Sequence, residues 1–257
     1  MKTWIAALGA ALFFALAQTA NADHRALLAK IDSDDFGLPE PTLLGEPLRL
    51  WATWYNIPAV EATREGFRLR NVGGKPISPP ISGREWCDAA LQGVITIREP
   101  DGSPRTYTFE ATSRSVEVNC GTFFKHAGSW AIAAGRSRFG ISKGPYGDGA
   151  GGYQLVPFRS VAVNTHLIPL GTVLYIPAAR GVAVTLPSGR KVQHDGYFFA
   201  SDRGGDVRRN HIDVFLGHAN ENPFSSFISS TPGETFEAYV VDDGRVIPKL
   251  HHLHVIE

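Results

Sequence analysis

Residues 197–217 read YFFASDRGGDVRRNHIDVFLG, and they hold the most informative pattern in this 257-residue chain. An aromatic run leads into two adjacent glycines, and Asp202, Asp206 and Asp213 fall within a dozen residues of each other. Glycines let the backbone turn sharply and let a bulky ligand approach. Clustered carboxyl groups with apolar neighbours resist ionisation, because each neighbour raises the free energy of the charged form. The pattern therefore predicts an acid suited to sugar-bond chemistry, with Asp213 as the strongest candidate.

Outward from this stretch, runs of β-branched and aromatic residues bounded by Gly, Pro, Asp or Asn indicate strands. The predicted strands are Leu48–Tyr55, Gln92–Arg98, Val161–Val163, Val173–Ile176, Val182–Leu186, Gly196–Ala200 and Thr235–Val241. Helical patterns are short, at His24–Ile31 and Trp130–Gly135. A mainly β protein is predicted, either a barrel or a sandwich.

The first residues are typical of an export signal. Lys2 precedes an apolar run, and small residues at Ala20 and Ala22 suit cleavage before Asp23. We therefore expect residues 1–22 to be removed and the remaining chain to be periplasmic, without a membrane anchor; an uncleaved anchor is the alternative. A formal net charge of zero argues against nucleic acid as a partner.

Residues 59–154 are interpreted as a smaller inserted subdomain. The segment Phe139–Phe158, which begins inside this subdomain and ends just beyond it, is rich in glycine and predicts a surface loop. The only cysteines of the chain, Cys87 and Cys120, lie within the subdomain. An oxidising compartment favours one disulfide between them over two free thiols.

Four motifs in order give the chain a family resemblance. Residues 162–164 (AVN), 168–172 (IPLGT), 202–205 (DRGG) and 212–215 (IDVF) resemble the three-aspartate (3D) domain of membrane-bound lytic transglycosylase A and stationary-phase muralytic proteins. The resemblance implies a double-psi β-barrel, related to expansins and small endoglucanases. We assign it to residues 48–58 and 155–257, with an N-terminal arm at 23–47.

The resemblance also implies roles for individual residues. The last aspartate of the Gly-Gly-Asp and Asn-His-x-Asp pattern is the general acid, which is Asp213 here, with Asp202 as the second catalytic residue. Thr53-Trp54-Tyr55 resembles the Thr-x-Tyr segment that opens the barrel. The expected substrate-binding residues are Thr53, Tyr55, Asn164, Gly204, Gly205, Asp206 and His211. Asn164 departs from the family, which has its first aspartate there, and an amide cannot ionise.

No base is evident beside the acid. Related endoglucanases carry the base just beyond Thr-x-Tyr, where this chain has Asn56, and the nearest carboxylate is Glu61. A missing base fits a lytic transglycosylase, which cleaves peptidoglycan between MurNAc and GlcNAc and leaves 1,6-anhydro ends. One aspartate then serves as acid and afterwards as base. The alternatives are a hydrolase with Asp202 or Glu61 as base, and an expansin-like binding module.

Two further features are weaker. His251, His252 and His254 suggest a metal, but alternation along a strand would send adjacent side chains to opposite faces and no acidic partner is near. The resemblance implies no metal and no cofactor. Tyr153 is a secondary candidate for stacking on a sugar ring.

Overall fold

The computed structural model describes residues 25–124 and 128–256. The strands are β1 Leu48–Tyr55, β2 Ala59–Glu61, β3 Phe67–Arg70, β4 Pro76–Ile81, β5 Val94–Arg98, β6 Pro104–Thr112, β7 Ser137–Ile141, β8 Ser160–Val163, β9 Val173–Tyr175, β10 Ala183–Thr185, β11 Lys191–Gln193, β12 Tyr197–Asp202, β13 His211–Phe215 and β14 Phe236–Val240. The helices are α1 at residues 25–32, α2 Gly83–Gln92, α3 Ser129–Ala134 and α4 Val246–His254, with 3₁₀ turns at Cys120–Thr122 and Pro177–Ala179.

Six strands close into a barrel in the order β1-β13-β8-β12-β9-β14. Two neighbouring pairs are parallel, β1 with β13 and β8 with β12, and the other four contacts are antiparallel. The chain is mainly β, and its barrel is the double-psi barrel that the motifs predict.

Strand alternation places the site on the outer wall of this barrel. Leu50 and Ala52 of β1, with Ile212 and Val214 of β13, are fully buried in the barrel core. Successive side chains of a strand point to opposite faces. Thr53 and the other odd-numbered residues of these two strands therefore face outward.

A second, four-stranded sheet lies within residues 59–141, in the order β2-β5-β6-β7, beside the hairpin of β3 and β4. It shares a core with α2 and α3, in which Trp86, Tyr107 and Phe139 are buried. The Cys87–Cys120 disulfide is present in this core, with a Cα–Cα distance of 5.5 Å, and confirms the prediction of one disulfide. The division of the chain into an arm, a barrel and an insertion at the stated boundaries stays a prediction.

Two expectations about local structure are wrong. The C-terminal histidines lie on helix α4 and not on a strand. Pro248 does not prevent this helix, because it falls in the first helical turn, where proline is tolerated. The glycine-rich segment lacks regular strands after Ile141, as expected, but it is not confined to the surface. Tyr146 and Leu155 are buried there against Val94 and Phe215.

The expected signal at residues 1–22 lies outside the described residues. In the part of the chain that the structure describes, no helix has the length and apolar character needed to cross a bilayer.

Candidate active site

Strand register brings the candidate residues into one row across four strands. Thr53 on β1 pairs with Asp213 on β13, and Asp213 pairs in turn with Ala162 on β8. Ala162 also faces Asp202 on β12, at a point where the register of the β8–β12 pair shifts. The two carboxyl groups therefore flank a small residue. Ala162 itself is buried, with 2% of its surface exposed.

Asp213, the candidate acid, is partly buried on β13. Its Oδ1 accepts a hydrogen bond of 2.7 Å from the Thr53 hydroxyl. Burial raises the pKa of Asp213 to about 6, since it disfavours the charged form; the Thr53 hydrogen bond acts in the lowering direction and the charge of Asp202 adds to the rise. A carboxyl group with such a pKa can hold a proton near neutral pH and release it during a reaction.

Asp202 is bound to Tyr55. The Tyr55 hydroxyl donates to Asp202 Oδ2 at 2.9 Å. Burial raises the pKa of Asp202 to about 6, against the lowering effect of hydrogen bonds from the Arg203 backbone and Tyr55. Burial and the nearby Asp202 charge raise the pKa of Tyr55 well above 10, so the phenol stays a hydrogen-bond donor.

His211 lies two residues before the acid, on the same face of β13. Its Nε2 lies 2.8 Å from the Thr53 hydroxyl oxygen, and its Nδ1 lies 3.4 Å from the Asp206 carbonyl oxygen. The ring stacks on Trp51 with 3.7 Å between centroids and 4° between planes. Burial lowers the pKa of His211, while the Asp206 carbonyl acts in the opposite direction. Trp51 was not among the predicted site residues, although its alternation with Thr53 and Tyr55 is a usable signal.

The β12–β13 loop carries the predicted Gly204, Gly205 and Asp206. All three are exposed, and the Asp206 side chain points to solvent with a long ion pair of 3.9 Å to Arg208. A side chain on Gly204 would collide with Val207, whereas one on Gly205 would meet open space. The loop therefore leaves an open rim beside the acid.

Asn164 follows β8 and contacts the β12–β13 loop at Arg209. Its amide donates to the Arg209 carbonyl oxygen at 3.1 Å, and its side-chain oxygen accepts from the His166 backbone at 3.2 Å. The Asn164 side chain, at the position of the missing aspartate, is thus hydrogen-bonded to nearby backbone groups.

Neither the position of Asn56 nor that of Glu61 supplies a base beside Asp213. The Asn56 amide donates to the Ala219 carbonyl oxygen at 3.1 Å and to Asn220 at 2.9 Å. Glu61 belongs to the other sheet, at the end of β2, and forms an exposed ion pair of 3.0 Å with Arg98.

The glycine-rich segment passes behind Asp202. Ala150 donates its backbone N–H to the Ser201 carbonyl oxygen at 2.8 Å, and a side chain on Gly149 would collide with that same carbonyl. Tyr153, the secondary candidate, packs edge-on against Phe199 at 5.0 Å. That contact gives its ring a packing role. Among residues 25–124 and 128–256 no group of three His, Cys, Asp or Glu side chains is arranged to hold a metal ion.

Comparison with known proteins agrees with this description. Residues 159–223, which include Asp202 and Asp213, match the family model of the 3D domain. Among curated proteins, none matches the chain in sequence.

Several solved structures are similar in fold. MltA from E. coli with bound chitohexaose is 16% identical over 75% of this chain and 71% of that chain, with a TM-score of 0.47. A membrane-bound lytic murein transglycosylase from Agrobacterium tumefaciens is 14% identical over 86% and 84%, with a TM-score of 0.49. The lytic transglycosylase LtgG of Burkholderia pseudomallei is 18% identical over 74% and 72%, with a TM-score of 0.36.

Proposed function

We propose that this chain, which carries a 3D domain at residues 159–223, is a peptidoglycan lytic transglycosylase. It would cleave the β-1,4 bond between MurNAc and GlcNAc and leave 1,6-anhydro-MurNAc ends. The observation that carries the proposal is Asp213: a partly buried carboxyl group whose pKa is raised to about 6 by burial, on the outer barrel wall within the matched domain.

The proposed mechanism uses Asp213 twice. The protonated carboxyl group gives its proton to the glycosidic oxygen as the C1–O bond breaks, and GlcNAc leaves with a new hydroxyl. The resulting carboxylate then takes the proton from the MurNAc 6-hydroxyl, whose oxygen forms the new bond to C1. The acid is restored at the end of each cycle, so no water needs to be activated.

The surroundings of Asp213 support a single-residue mechanism. Glycosidases with two acids need the second one as a base or a nucleophile. The position beyond Thr-x-Tyr holds Asn56, whose amide is occupied by local hydrogen bonds. Asp202 is held by the Tyr55 hydroxyl, and we propose that it tunes Asp213 through its charge.

A hydrolase remains the second candidate because of one observation. Asp202 and Asp213 lie on strands separated by β8 alone, so their backbones are about 9–10 Å apart across two interstrand spacings. The two acids thus stand on strands that are not neighbours, and inverting glycosidases place their second acid far enough from the first to admit a water. An expansin-like binding module is the third.

Product analysis distinguishes the three. Purified peptidoglycan sacculi are digested, and the released muropeptides are analysed by mass spectrometry before and after borohydride reduction. Anhydro ends, which resist reduction, support the transglycosylase. Reducible ends would establish the hydrolase, and sacculi that bind the protein but release no fragments would establish the binding module.

We further propose that the protein acts in the periplasm after removal of residues 1–22, with glycan strands as its partner. The support is the apolar run and the small residues at Ala20 and Ala22. N-terminal sequencing of protein from the periplasmic fraction should begin at or near Asp23; an intact Met1 in the membrane fraction would contradict the proposal.

A further inference from the structure

The hydroxyl group of Thr53 touches two functional groups at once. Its oxygen lies 2.7 Å from Asp213 Oδ1 and 2.8 Å from His211 Nε2. A hydroxyl has one hydrogen and can donate only once, although it can accept as well. The two contacts therefore cannot both be donations from Thr53, and the direction of one fixes the direction of the other.

The direction of these two hydrogen bonds follows from the chemistry of the Asp213 carboxylate. A carboxylate oxygen can only accept, so Thr53 donates to Asp213 whenever the acid is ionised. The short contact on the other side then requires His211 to donate from Nε2–H to the Thr53 oxygen. The 3.4 Å contact of Nδ1 with the Asp206 carbonyl is at the long end for a hydrogen bond, which fits an imidazole protonated on Nε2.

The ring of His211 is held in the plane that this contact needs. Trp51 stacks on it almost in parallel, at 3.7 Å, and His211 pairs with Trp51 in the β1–β13 register. His211 is buried, so protein contacts and not solvent hold its ring in this orientation. A parallel strand pair thus aligns Trp51 with His211 and, two residues on, Thr53 with Asp213.

We propose that His211 is a positioning residue that acts on Asp213 through Thr53. Its Nε2–H fixes the Thr53 hydroxyl hydrogen on Asp213 Oδ1, which leaves Oδ2 as the oxygen that carries the catalytic proton. This inference rests on the proposed role of Asp213 as the acid, and it gives His211 and Thr53 a task other than direct sugar binding.

The arrangement serves both halves of the proposed cycle. While Asp213 is protonated, an occupied Oδ1 directs the proton to Oδ2. When Asp213 has given up its proton, the chain His211 → Thr53 → Asp213 points all its donors at the new negative charge, and linked hydrogen bonds of one direction strengthen each other. No proton has to move along the chain.

Three charged or titratable residues act on the hydrogen-bonded series of His211, Thr53 and Asp213. Asp202 on β12 acts on Asp213 through its charge, and Tyr55 on β1 adds a neutral phenol. Asp206 acts on His211 through its backbone carbonyl and through its charge. The Thr53 hydrogen bond lowers the pKa of Asp213, so its loss raises that pKa. This direction gives a readout that a purely structural histidine would not move.

The test follows the titration of the Asp213 carboxyl carbon by ¹³C NMR, together with the pH dependence of kcat and KM on peptidoglycan. Thr53→Val removes the hydroxyl and keeps the shape, and Thr53→Ser keeps the hydroxyl. His211→Phe keeps a ring on Trp51 without an N–H, and His211→Gln keeps an N–H donor. Thermal melts establish that each variant is folded.

We expect Thr53→Val and His211→Phe each to raise the Asp213 midpoint by about 0.5–1 pH unit, the size of one lost hydrogen bond. Both should lower kcat more than they change KM. Thr53→Ser and His211→Gln should stay near the wild-type midpoint. The double variant Thr53→Val with His211→Phe should shift no further than Thr53→Val alone, because the two residues act in series.

Three results would overturn the inference. A His211→Phe protein with an unchanged midpoint would show that the histidine only packs. Additive shifts in the double variant would show that it acts on Asp213 independently of Thr53. A midpoint that falls in Thr53→Val would mean that Thr53 accepts from Asp213. If His211→Phe does not fold, His211→Gln and the Thr53 pair decide. A wild-type protein without cleavage activity would contradict the proposed function. The inference about His211 could still be tested, because the NMR titration needs no turnover.

Discussion

At the scale of single residues, the site contains two carboxyl groups that ionise at a higher pH than ordinary aspartates. Burial raises the pKa values of Asp202 and Asp213 to about 6 each, and the charge of Asp202 adds to the shift of Asp213. Because a folded state that binds protons more tightly than the unfolded state loses stability as pH rises, these acids destabilise the fold at neutral pH. The chemistry of the site is thus linked to stability.

Asp213→Asn should therefore stabilise the protein at pH 7.5. The folded-state pKa lies above the ordinary value of 3.8, so the wild type loses stability as pH rises from about 4 to 6, and an amide does not. We expect a gain of about 1–3 kcal/mol at pH 7.5 and almost none at pH 3.5, by urea unfolding at both values. Asp242→Asn, at an exposed site, is the matched control. Equal stability of Asp213→Asn and wild type at pH 7.5 would contradict the raised pKa.

Activity should fall as pH rises through the pKa of Asp213, because only the protonated acid starts the reaction. The alkaline limb of kcat/KM on soluble glycan strands should have its midpoint near pH 6. An activity that rises through pH 6 to 8 would mean that the group required in the free enzyme is a base.

Tyr55→Phe should act on Asp202. The phenol lowers the pKa of Asp202 through its hydrogen bond, so loss of the hydroxyl should raise it, by about 0.5–1 pH unit. Titration of the Asp202 carboxyl carbon by ¹³C NMR measures this. A midpoint that stays in place would show that the Tyr55 hydroxyl does not contribute to the pKa of Asp202.

The sequence motifs gave Asp202, Asp213 and the Thr-x-Tyr segment as candidates, but not the contacts among them. The bonds of Thr53 to His211 and Asp213 join positions 158 and 160 residues apart. They depend on the parallel register of β1 and β13, which no local pattern encodes. The stack of Trp51 on His211 was missed for the same reason.

At the scale of elements, helix α2 and its disulfide hold the second core together. Ser82 accepts from the Glu85 backbone while the Glu85 side chain accepts from the Ser82 backbone, a capping box that begins the helix. Cys87, one turn later, is fully buried and bonded to Cys120. The Ser-x-x-Glu spacing was a usable signal for α2, yet no long apolar stripe accompanies it, so the sequence analysis missed the helix.

Loss of this disulfide should destabilise the protein. The bond closes a loop of 33 residues, and the chain-entropy model gives about 3–4 kcal/mol for a loop of that length. The double variant Cys87→Ala with Cys120→Ala should lose about that much in unfolding free energy, measured by denaturant titration against wild type. Titration of the denatured, unreduced wild type should find no free thiol; two reactive thiols would refute the bond.

At the scale of the whole molecule, one buried arginine links residues 34–36, in the predicted N-terminal arm, to the barrel. The Arg159 side chain is fully buried, with its Nε 2.6 Å from Asp34 and its Nη2 2.9 Å from Asp195. Its guanidinium also lies over the ring of Phe36, at 3.8 Å. Burial opposes the charge of Asp195, yet the hydrogen bonds and charge of Arg159 hold the pKa of Asp195 below its ordinary value. The arm is therefore anchored by a charge cluster as well as by apolar contact.

Asp34→Ala should be strongly destabilising, because it leaves the buried Arg159 with one carboxylate where there were two. Breaking a buried ion pair costs about 3–5 kcal/mol. Hydrogen exchange should rise first across residues 25–40, and Asp35→Ala, an exposed neighbour, is the control. Unchanged stability and exchange in Asp34→Ala would show that the cluster does not hold the arm.

Much of the barrel was predictable, since strands such as β1 and β9 are rich in β-branched or aromatic residues, but β13 was not among the predicted strands. The arm was assigned no contacts, because the link of Asp34 to Arg159 and Asp195 is a long-range pairing of single charges. Of the smaller sheet only β5 was predicted as a strand, and in the hairpin beside that sheet Pro76 and Pro79 obscure the β4 strand pattern. Local patterns thus describe the elements, and long-range pairs fix how they meet.

The most direct test of the whole account is the digestion of purified peptidoglycan by wild type, Asp213→Asn and the control Asp242→Asn, with thermal melts to establish folding. Wild type and control should release fragments with anhydro ends. Asp213→Asn is nearly isosteric but has no transferable acidic proton, so it should bind sacculi and lose about 10²–10⁴-fold or more in turnover. A folded Asp213→Asn protein that releases anhydro fragments at a near-wild-type rate would contradict the account.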